Sequence, residues 1–312
     1  MTWKPDLVCY HAGCLDGQGS AWAAWKRWGD AVQYLPCSYG KSPPVDAVMG
    51  RNVLVADFSW KRPDMEILGA AAASIVVLDH HRTAKAELEP FTIRLCSGVN
   101  DEESMPLDGM LADMEGIFGD MRELGRLPIA AFFNMEKSGA RMAWEFCHSG
   151  VEVPRLIEHI EDRDLWRFKL SDTRAVHAAI SSYDFEFWLF DDFNADLDVV
   201  ITEGRAILRA HDRQVKELCE FSYAGNLLHV EGVRFLNAPY FFASDCGHKL
   251  LEMFPDTPFA AVWSRRSDGK DQYSLRARAG GVDVSEIAEM LGGGGHAAAS
   301  GFAVDAGATP NA

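Results

Sequence analysis

The chain has 312 residues, 48% of them hydrophobic, which allows two domains with sizeable cores and excludes a disordered chain. Its formal net charge of −16 argues against a partner such as long duplex nucleic acid, which is normally gripped by a basic face. A small anionic substrate stays open, because bound cations reverse the local field of a site.

The elements follow in chain order. Residues 6–12 (DLVCYHA) read as a buried strand, Ser20 to Trp28 as a helix, and 31–36 as a second strand. NVLVADFS (52–59) and IVVLDHH (75–81) are apolar strands on either side of a helix at 65–73. Strands alternating with helices predict a doubly wound, mainly parallel sheet, and near-continuous Val, Ile and Leu suits strands covered on both faces. Residues 97–127 look like an acidic helical insertion, with eight Asp or Glu against two Arg. Leu107, Met110, Leu111, Met114, Ile117, Phe118 and Met121 recur there at helical spacing. An amphipathic helix packed on the domain is preferred over a lid, although Gly109, Gly116 and Gly119 would loosen it.

A strand at 128–133 and a helix at 138–146 capped by Ser138 come next. Pro154 to Glu161 is another helix, running into Asp162-Arg163-Asp164. The charged helical stretch 199–222 reads as a connector, which gives an N-terminal domain 1–198 and a smaller α/β domain 223–312. In the latter, strands are expected near 227–236, 258–264 and 272–278, with helices near 244–253 and 285–291 and a loose tail after Asp305. Trp22, Trp25 and Trp28 are expected to face the core, His159 to be an exposed helix residue, and Asp191-Asp192 to be a solvated face.

Three strands of the first half end in groups able to bind metal: His11 with Cys14 and Asp16, then Asp57, then Asp79-His80-His81. In an open parallel sheet, ligands collect outside the carboxyl ends of the strands. Bare carboxylates placed side by side repel, so a divalent cation explains the clustering. Two ions about 3.5–4 Å apart can clamp a phosphoryl group and lower the pKa of water from about 15.7 to roughly 7. Carboxylates with imidazoles suit manganese, iron, cobalt or zinc better than calcium. In the second half, four consecutive glycines, Gly292 to Gly295, precede His296 and suggest a backbone nest for phosphate. Arg276 and Arg278 occupy alternate positions of one strand, so both are candidates to meet that phosphate.

VVLDHHRT (76–83) resembles the signature of the DHH phosphoesterase superfamily. HAGCLDGQGSA (11–21), VADFS (55–59) and EDRDLW (161–166) are similar to its first, second and fourth motifs. YSLRAR (273–278) with DVSEIAEMLGGGGHAAASGF (283–302) resembles the DHH-associated domain of nanoRNases, RecJ-type exonucleases and related nucleotide phosphodiesterases. The resemblance implies metal ligands at His11, Asp16, Asp57, His80 and Asp162, with Asp164 as the alternate to Asp162 and Asp57 bridging two ions. It makes Asp57 and His81 catalytic, with His81 facing the substrate phosphate, and gives Arg276, Gly293, Gly294, Gly295 and His296 to substrate binding. Asp79 would orient the histidines.

One departure stands out. Cys14 occupies the place of the family's usual first Asp, and His11 lies one residue farther away. As a thiolate ligand Cys14 would favour zinc or iron(II) over the manganese that the resemblance implies; as a bystander it would leave one ion rather than two.

The implied function is hydrolysis of phosphodiester bonds in short single-stranded oligonucleotides or in small linear or cyclic nucleotides. The alternatives are a phosphatase or pyrophosphatase on mononucleotides or phosphoanhydrides, and a catalytically weakened nucleotide sensor. The seven cysteines are odd in number and form no C-x-x-C, the start lacks a signal-peptide pattern, and the longest apolar stretch, Ala70 to Leu78, is too short to span a bilayer. A cytoplasmic protein without a membrane partner is expected; oligomeric state, a homodimer included, stays open.

Overall fold

The computed structural model describes residues 2–93 and 107–307. The chain divides into two units, Met1–Ile207 and Leu208–Ala312.

The first unit begins with strand β1 (Leu7–His11), helix α1 (Leu15–Trp28), β2 (Gln33–Cys37), the short α2 (Val45–Val48) and β3 (Asn52–Ala56). It continues with α3 (Arg62–Ala71), β4 (Ser74–Asp79), α4 (Arg82–Glu87), α5 (Met110–Glu123), β5 (Ile129–Phe133) and α6 (Gly139–Cys147). Four helices complete it: α7 (Arg155–Asp164), α8 (Thr173–Ile180), α9 (Phe187–Ala195) and α10 (Leu197–Cys219).

All five strands are parallel, in the order β2-β1-β3-β4-β5. Their side chains alternate between two cores. Leu7, Cys9, Val53, Val55, Ile75, Val77, Ile129 and Ala131 pack with Met65 and Leu68 of α3. Val8, Leu54, Val76, Leu78, Ala130 and Phe132 pack with Trp22 of α1 and Ala143 and Phe146 of α6 on the opposite face. Burial on both faces is why these strands read as unbroken apolar runs. The edge strand β2 is half exposed and carries Pro36, which an edge tolerates because one side of its backbone needs no ladder donor.

Within the described part of the insertion, Met110, Leu111, Met114 and Phe118 of α5 enter the second core beside Leu107 and Trp3. Phe118 has no exposed surface and its ring lies 6.2 Å from that of Trp3. The expected amphipathic helix is therefore a wall of the core and not a lid; residues 97–106 of that stretch lie outside the described residues. Trp22 is buried as expected. Its indole donates to Asp191 Oδ1 at 2.8 Å, and Lys26 pairs with the same carboxylate, so Asp191 is a tertiary anchor rather than a solvated residue.

The second unit begins inside α10, so the helix expected as a connector is shared between the units. Its elements are β6 (Tyr223–Leu227), β7 (Val230–Asn237), α11 (Ala243–Met253), β8 (Phe259–Arg265), β9 (Lys270–Ala277), α12 (Val284–Met290), β10 (Gly294–His296) and β11 (Ala299–Asp305). They form a six-stranded sheet in the order β10-β11-β9-β8-β7-β6, antiparallel except for the β7–β8 pair joined through α11. The protein is thus an α/β chain: a doubly wound parallel sheet followed by a smaller mixed one. Phe259, Leu275 and Phe302 pack with Ile287 of α12 on one face, and Leu236, Ala260 and Val262 with Cys246 and Leu250 of α11 on the other.

If α5 is a core wall, Phe118→Ala lowers the unfolding free energy by about 3–5 kcal/mol, read by urea denaturation. A loss under about 1 kcal/mol, typical of surface positions, would instead fit a detachable lid.

Candidate active site

The strand order reverses at β1: the chain leaves β1 toward β2 and returns on its other side as β3. The carboxyl ends around such a reversal are left open by diverging connections, which makes a crevice. His11, Cys14, Asp16, Asp57, Asp79 and His80 all emerge there.

Cys14 caps α1: its backbone is extended, and its sulfur accepts from Gly17 N at 3.2 Å. This places Asp16 in the first turn of α1, almost fully buried. The Asp16 carboxylate accepts from Gly139 N (2.6 Å) and Ala140 N (2.9 Å), the first amides of α6. A helix N-terminus offers both unpaired donors and positive potential, so the carboxylate is well matched there. Gly139 is required sterically: a Cβ on it would stand 2.5 Å from Asp57 Cβ and 3.0 Å from Asp16 Oδ2.

Asp57 follows β3 in the left-handed region, at φ 55°. Among residues with a Cβ, Asp tolerates this region better than most. Its two oxygens face different partners. Oδ1 lies 3.1 Å from His80 Nε2, while Oδ2 lies 3.2 Å from Cys14 Sγ and 3.5 Å from His11 Nδ1. His80 Nε2 is also 3.5 Å from Asp16 Oδ2 and 3.6 Å from Asp164 Oδ2. Asp79 is fully buried beneath the pair of imidazoles. Its Oδ1 accepts from the backbone amides of His80 (2.7 Å) and His81 (3.2 Å) and lies 2.7 Å from His81 Nδ1. That contact fixes the orientation of the His81 ring.

The electrostatics are those of crowded anions. Burial, then the charges of Asp57 and Asp164, push Asp16 well above the usual carboxylate range. Burial also acts to raise Asp57, but hydrogen bonds from His11 and His80 outweigh it and hold that carboxyl low. His80 is disfavoured as a cation by burial, yet its bond to Asp57 and the surrounding carboxylates raise its pKa to about 10. Burial and the Asp57 charge raise the Cys14 thiol, so without a cation the sulfur keeps its proton. His81 is raised too: burial opposes the charge and the bond to Asp79 outweighs it.

Three groups of side chains have donor atoms within 4.8 Å of one another: His11, Cys14 and Asp57; Asp57, His80 and His81; and Asp16, His80 and Asp164. The donor types fit a divalent transition metal. The groups interlock through Asp57 and His80, so the crowding that penalises ionised carboxylates would be relieved by cations.

Asp162, expected as a ligand, is placed elsewhere. Its carboxylate accepts from Lys169 N (2.8 Å), Leu170 N (3.1 Å) and Thr173 Oγ1 (2.6 Å). Asp164 is the α7 carboxylate that reaches His80. Two residues along a helix is a turn of about 200°, so these two side chains point to opposite sides. His159, expected on the surface, is buried with Nδ1 2.9 Å from Thr173 Oγ1.

In the second unit the glycine run differs from a four-residue nest. Gly292, at φ 78°, donates to Glu289 O, and Gly293 donates to Ala288 O. These are the two bonds of a Schellman ending to α12. The Gly293 amide is therefore committed to the helix, which corrects its expected place in an anion cradle. A Cβ on Gly293 would lie 2.1 Å from Gly301 O, so this glycine serves the approach of β11. Gly294 and Gly295 pair with Gly301 and Ser300, and His296 with Ala299. Arg278 is likewise committed, donating to the carbonyls of Leu251, Phe254 and Thr257. Arg276 lies against Gly247 of α11 with no carboxylate within salt-bridge distance among the described residues.

A family model described as the DHHA1 domain matches residues 244–312. The chain is 32% identical to Uncharacterized protein R106 of Acanthamoeba polyphaga mimivirus, over 96% of this chain and 67% of that protein. It is 32% identical to Oligoribonuclease NrnB of Bacillus subtilis over 40% of this chain and 28% of that enzyme. The chain belongs to the DHH superfamily of phosphoesterases. The fold agrees: the DHH domain of a member of the s1p family of ribosomal proteins superposes with a TM-score of 0.54 at 13% identity, over 96% of this chain and 82% of that one. Members of the DHH superfamily are metal-dependent hydrolases of phosphoesters. The chain spans about two thirds of R106 and little more than a quarter of NrnB. No helix among the described residues is long and apolar enough to cross a membrane.

Sequence reasoning did not single out Gly139 and Ala140 as partners of Asp16. The available signal was Ser138 followed by two small residues at a helix start, which marks exposed amides.

The two α7 carboxylates are separable by experiment. Asp162→Ala should cost about 2–4 kcal/mol of stability, since it strands three donors to a charged group, in urea denaturation under EDTA. Asp164→Ala should leave that stability unchanged or raised, because burial, helped by the Asp57 charge, raises its pKa against the opposing charge of His80, and it therefore opposes folding when ionised. It should instead lower bound metal per chain, read by mass spectrometry. The reverse pattern would return the ligand role to Asp162.

Proposed function

We propose that this chain hydrolyses phosphodiester bonds in short single-stranded oligonucleotides or in small linear or cyclic nucleotides. The observation that carries this reading is the orientation of Asp57, whose two oxygens face separate donor groups, His80 on one side and Cys14 with His11 on the other. A carboxylate so placed is a natural bridge between two ions. One would be held by His11, Cys14 and Asp57, and the other by Asp16, Asp57, His80 and Asp164. Manganese is the first expectation, and zinc or iron(II) gains ground if Cys14 binds as a thiolate. Bound ions would supply a water acidic enough to attack near neutral pH and would neutralise charge on the phosphoryl group.

The remaining roles belong to the protein. Asp79 holds His81 Nδ1 and orients the ring, so Nε2 would be the atom that meets a phosphate oxygen, and the raised pKa of His81 favours the cationic donor. Arg276, half-buried without a carboxylate partner among the described residues, would bind a substrate anion together with His296 and the Gly294–Gly295 backbone. The net charge of −16 disfavours long duplex substrates.

Cys14 favours a second reading. A thiol where the family's first Asp is usual would weaken one ion site and leave a nucleotide sensor.

Di- to decanucleotides, cyclic dinucleotides and pyrophosphate, each tested with manganese, zinc and magnesium, decide the matter. We expect oligonucleotide or dinucleotide turnover that EDTA abolishes and that Asp57→Ala lowers on the order of a hundredfold or more. Turnover of pyrophosphate alone would indicate a phosphatase. Binding without turnover under every ion, rescued by Cys14→Asp, would indicate the sensor.

A further inference from the structure

The segment from the end of α7 to the start of α8 carries side chains that the site above does not use. The guanidinium carbon of Arg163 lies 4.1 Å from the centroid of the Trp166 ring, and that of Arg174 lies 4.0 Å from the centroid of Phe168. The two rings meet edge to face at 4.9 Å. Both guanidinium carbons also lie over the Phe168 ring, at 5.6 and 4.0 Å, so they are within about 10 Å of each other.

This stack is costly to build. Trp166, Phe168 and Asp172 all have positive φ, at 54°, 48° and 66°. Bulky residues such as Trp166 and Phe168 in the left-handed region cost of order 1–3 kcal/mol each and persist only where the surroundings over-determine them. Asp162 supplies that control. Its carbonyl accepts from Arg167 N and Phe168 N, and its carboxylate from Lys169 N and Leu170 N. The residue that sequence reasoning offered as a ligand is thus the clamp that sets the stack.

The stack also starts at the edge of the ion-binding cluster. Arg163 adjoins Asp164, and its charge is among those acting on the Asp164 carboxyl. Several arginines of this acidic chain end on carboxylates, among them Arg62 on Glu66, Arg205 on Asp172, Arg213 on Glu217 and Arg265 on Asp271. Arg174 is exposed and has no carboxylate within salt-bridge distance among the described residues; its partners are rings. A ring holds a guanidinium by its face and leaves the N–H edge for a phosphate, the geometry at which Arg excels.

We propose that the Arg163–Trp166–Phe168–Arg174 stack is a subsite for the next nucleotide of a short strand, with the Arg174 edge receiving the phosphate that neighbours the one hydrolysed. The inference rests on the oligonucleotide reading above and adds to it a requirement for a second phosphate.

The test compares a trinucleotide with bis(p-nitrophenyl) phosphate, a diester with one phosphate, using metal-loaded enzyme. Arg174→Ala should lower the ratio of kcat/KM for trinucleotide over single-phosphate diester about tenfold, mainly through KM. Arg174→Lys should fall between Ala and wild type. The dependence of log KM on log salt should flatten by roughly one contact's worth in Arg174→Ala. A ratio that stays at the wild-type value, whether or not both rates drop together, overturns the subsite and leaves the oligonucleotide reading standing. A wild-type enzyme that cleaves the single-phosphate diester but no trinucleotide overturns that reading, and the subsite with it.

Discussion

Two carboxylates, Asp16 and Asp57, sit almost wholly out of water within 3.5 Å of one imidazole nitrogen. The penalty for burying even one unpaired carboxylate is several kcal/mol, so the fold of the N-terminal unit has to supply compensation at this point. It does so unevenly. Asp16 receives two amides from the start of α6, and Asp57 receives His80, His11 and the Cys14 thiol. The result is one carboxyl pushed up, one held down, and a His80 cation stabilised between them. A proton now occupies the position of least cost. A divalent ion held there by Asp16, Asp57 and His80 would do the same work with more charge in place of that proton, which would couple metal affinity to pH.

The approach of α6 to β3 is set by this requirement. Only a residue without Cβ lets the first turn of α6 come close enough to cap Asp16 while Asp57 passes beside it. Asp57 in turn adopts a left-handed backbone to aim its two oxygens apart. Strain, close packing and buried charge therefore fall on the same few residues. Such coincidence is characteristic of functional sites, where the rest of the core provides the stability that local geometry gives up.

Much of this was legible in the sequence, for a reason specific to the parallel sheet. Each strand of the first unit is a short apolar run that stops at a polar residue, so the run's end marks both the edge of the core and the mouth of the crevice. His11, Asp57 and the Asp79-His80-His81 triplet could be located that way. Asp162 and Asp164 could not be separated, because both lie on the last turn of a helix whose rotation relative to the sheet is a tertiary fact. α8 was missed because its apolar stripe, Ala175, Val176, Ala179 and Ile180, spans only an eight-residue helix, and α9 because its apolar run is interrupted by Asp191, which takes the Trp22 indole. The glycine run carried two messages at once. Gly292 and Gly293 end α12 and admit β11, whereas Gly294 and Gly295 open onto β10. A string of identical residues offers nothing in sequence to divide one role from the other.

Under the proposed function, an acidic protein with an acidic site must still attract a phosphate ester, and the placement of a few cations offers a way. Some basic side chains of each unit are held by something other than a surface carboxylate. Arg174 is held by aromatic faces, Arg276 by the flank of a helix at Gly247, and His81 by a buried carboxylate that orients it and raises its pKa. Each of these supports orients a donor without the close carboxylate clasp of an ordinary surface ion pair, except that His81 is oriented by the buried Asp79. Under the proposed function, the field that a phosphate would meet is local, built from bound ions and a few oriented donors. It is unlike the broad basic surface that draws in long nucleic acids, and this contrast reconciles the net charge of −16 with a small anionic substrate.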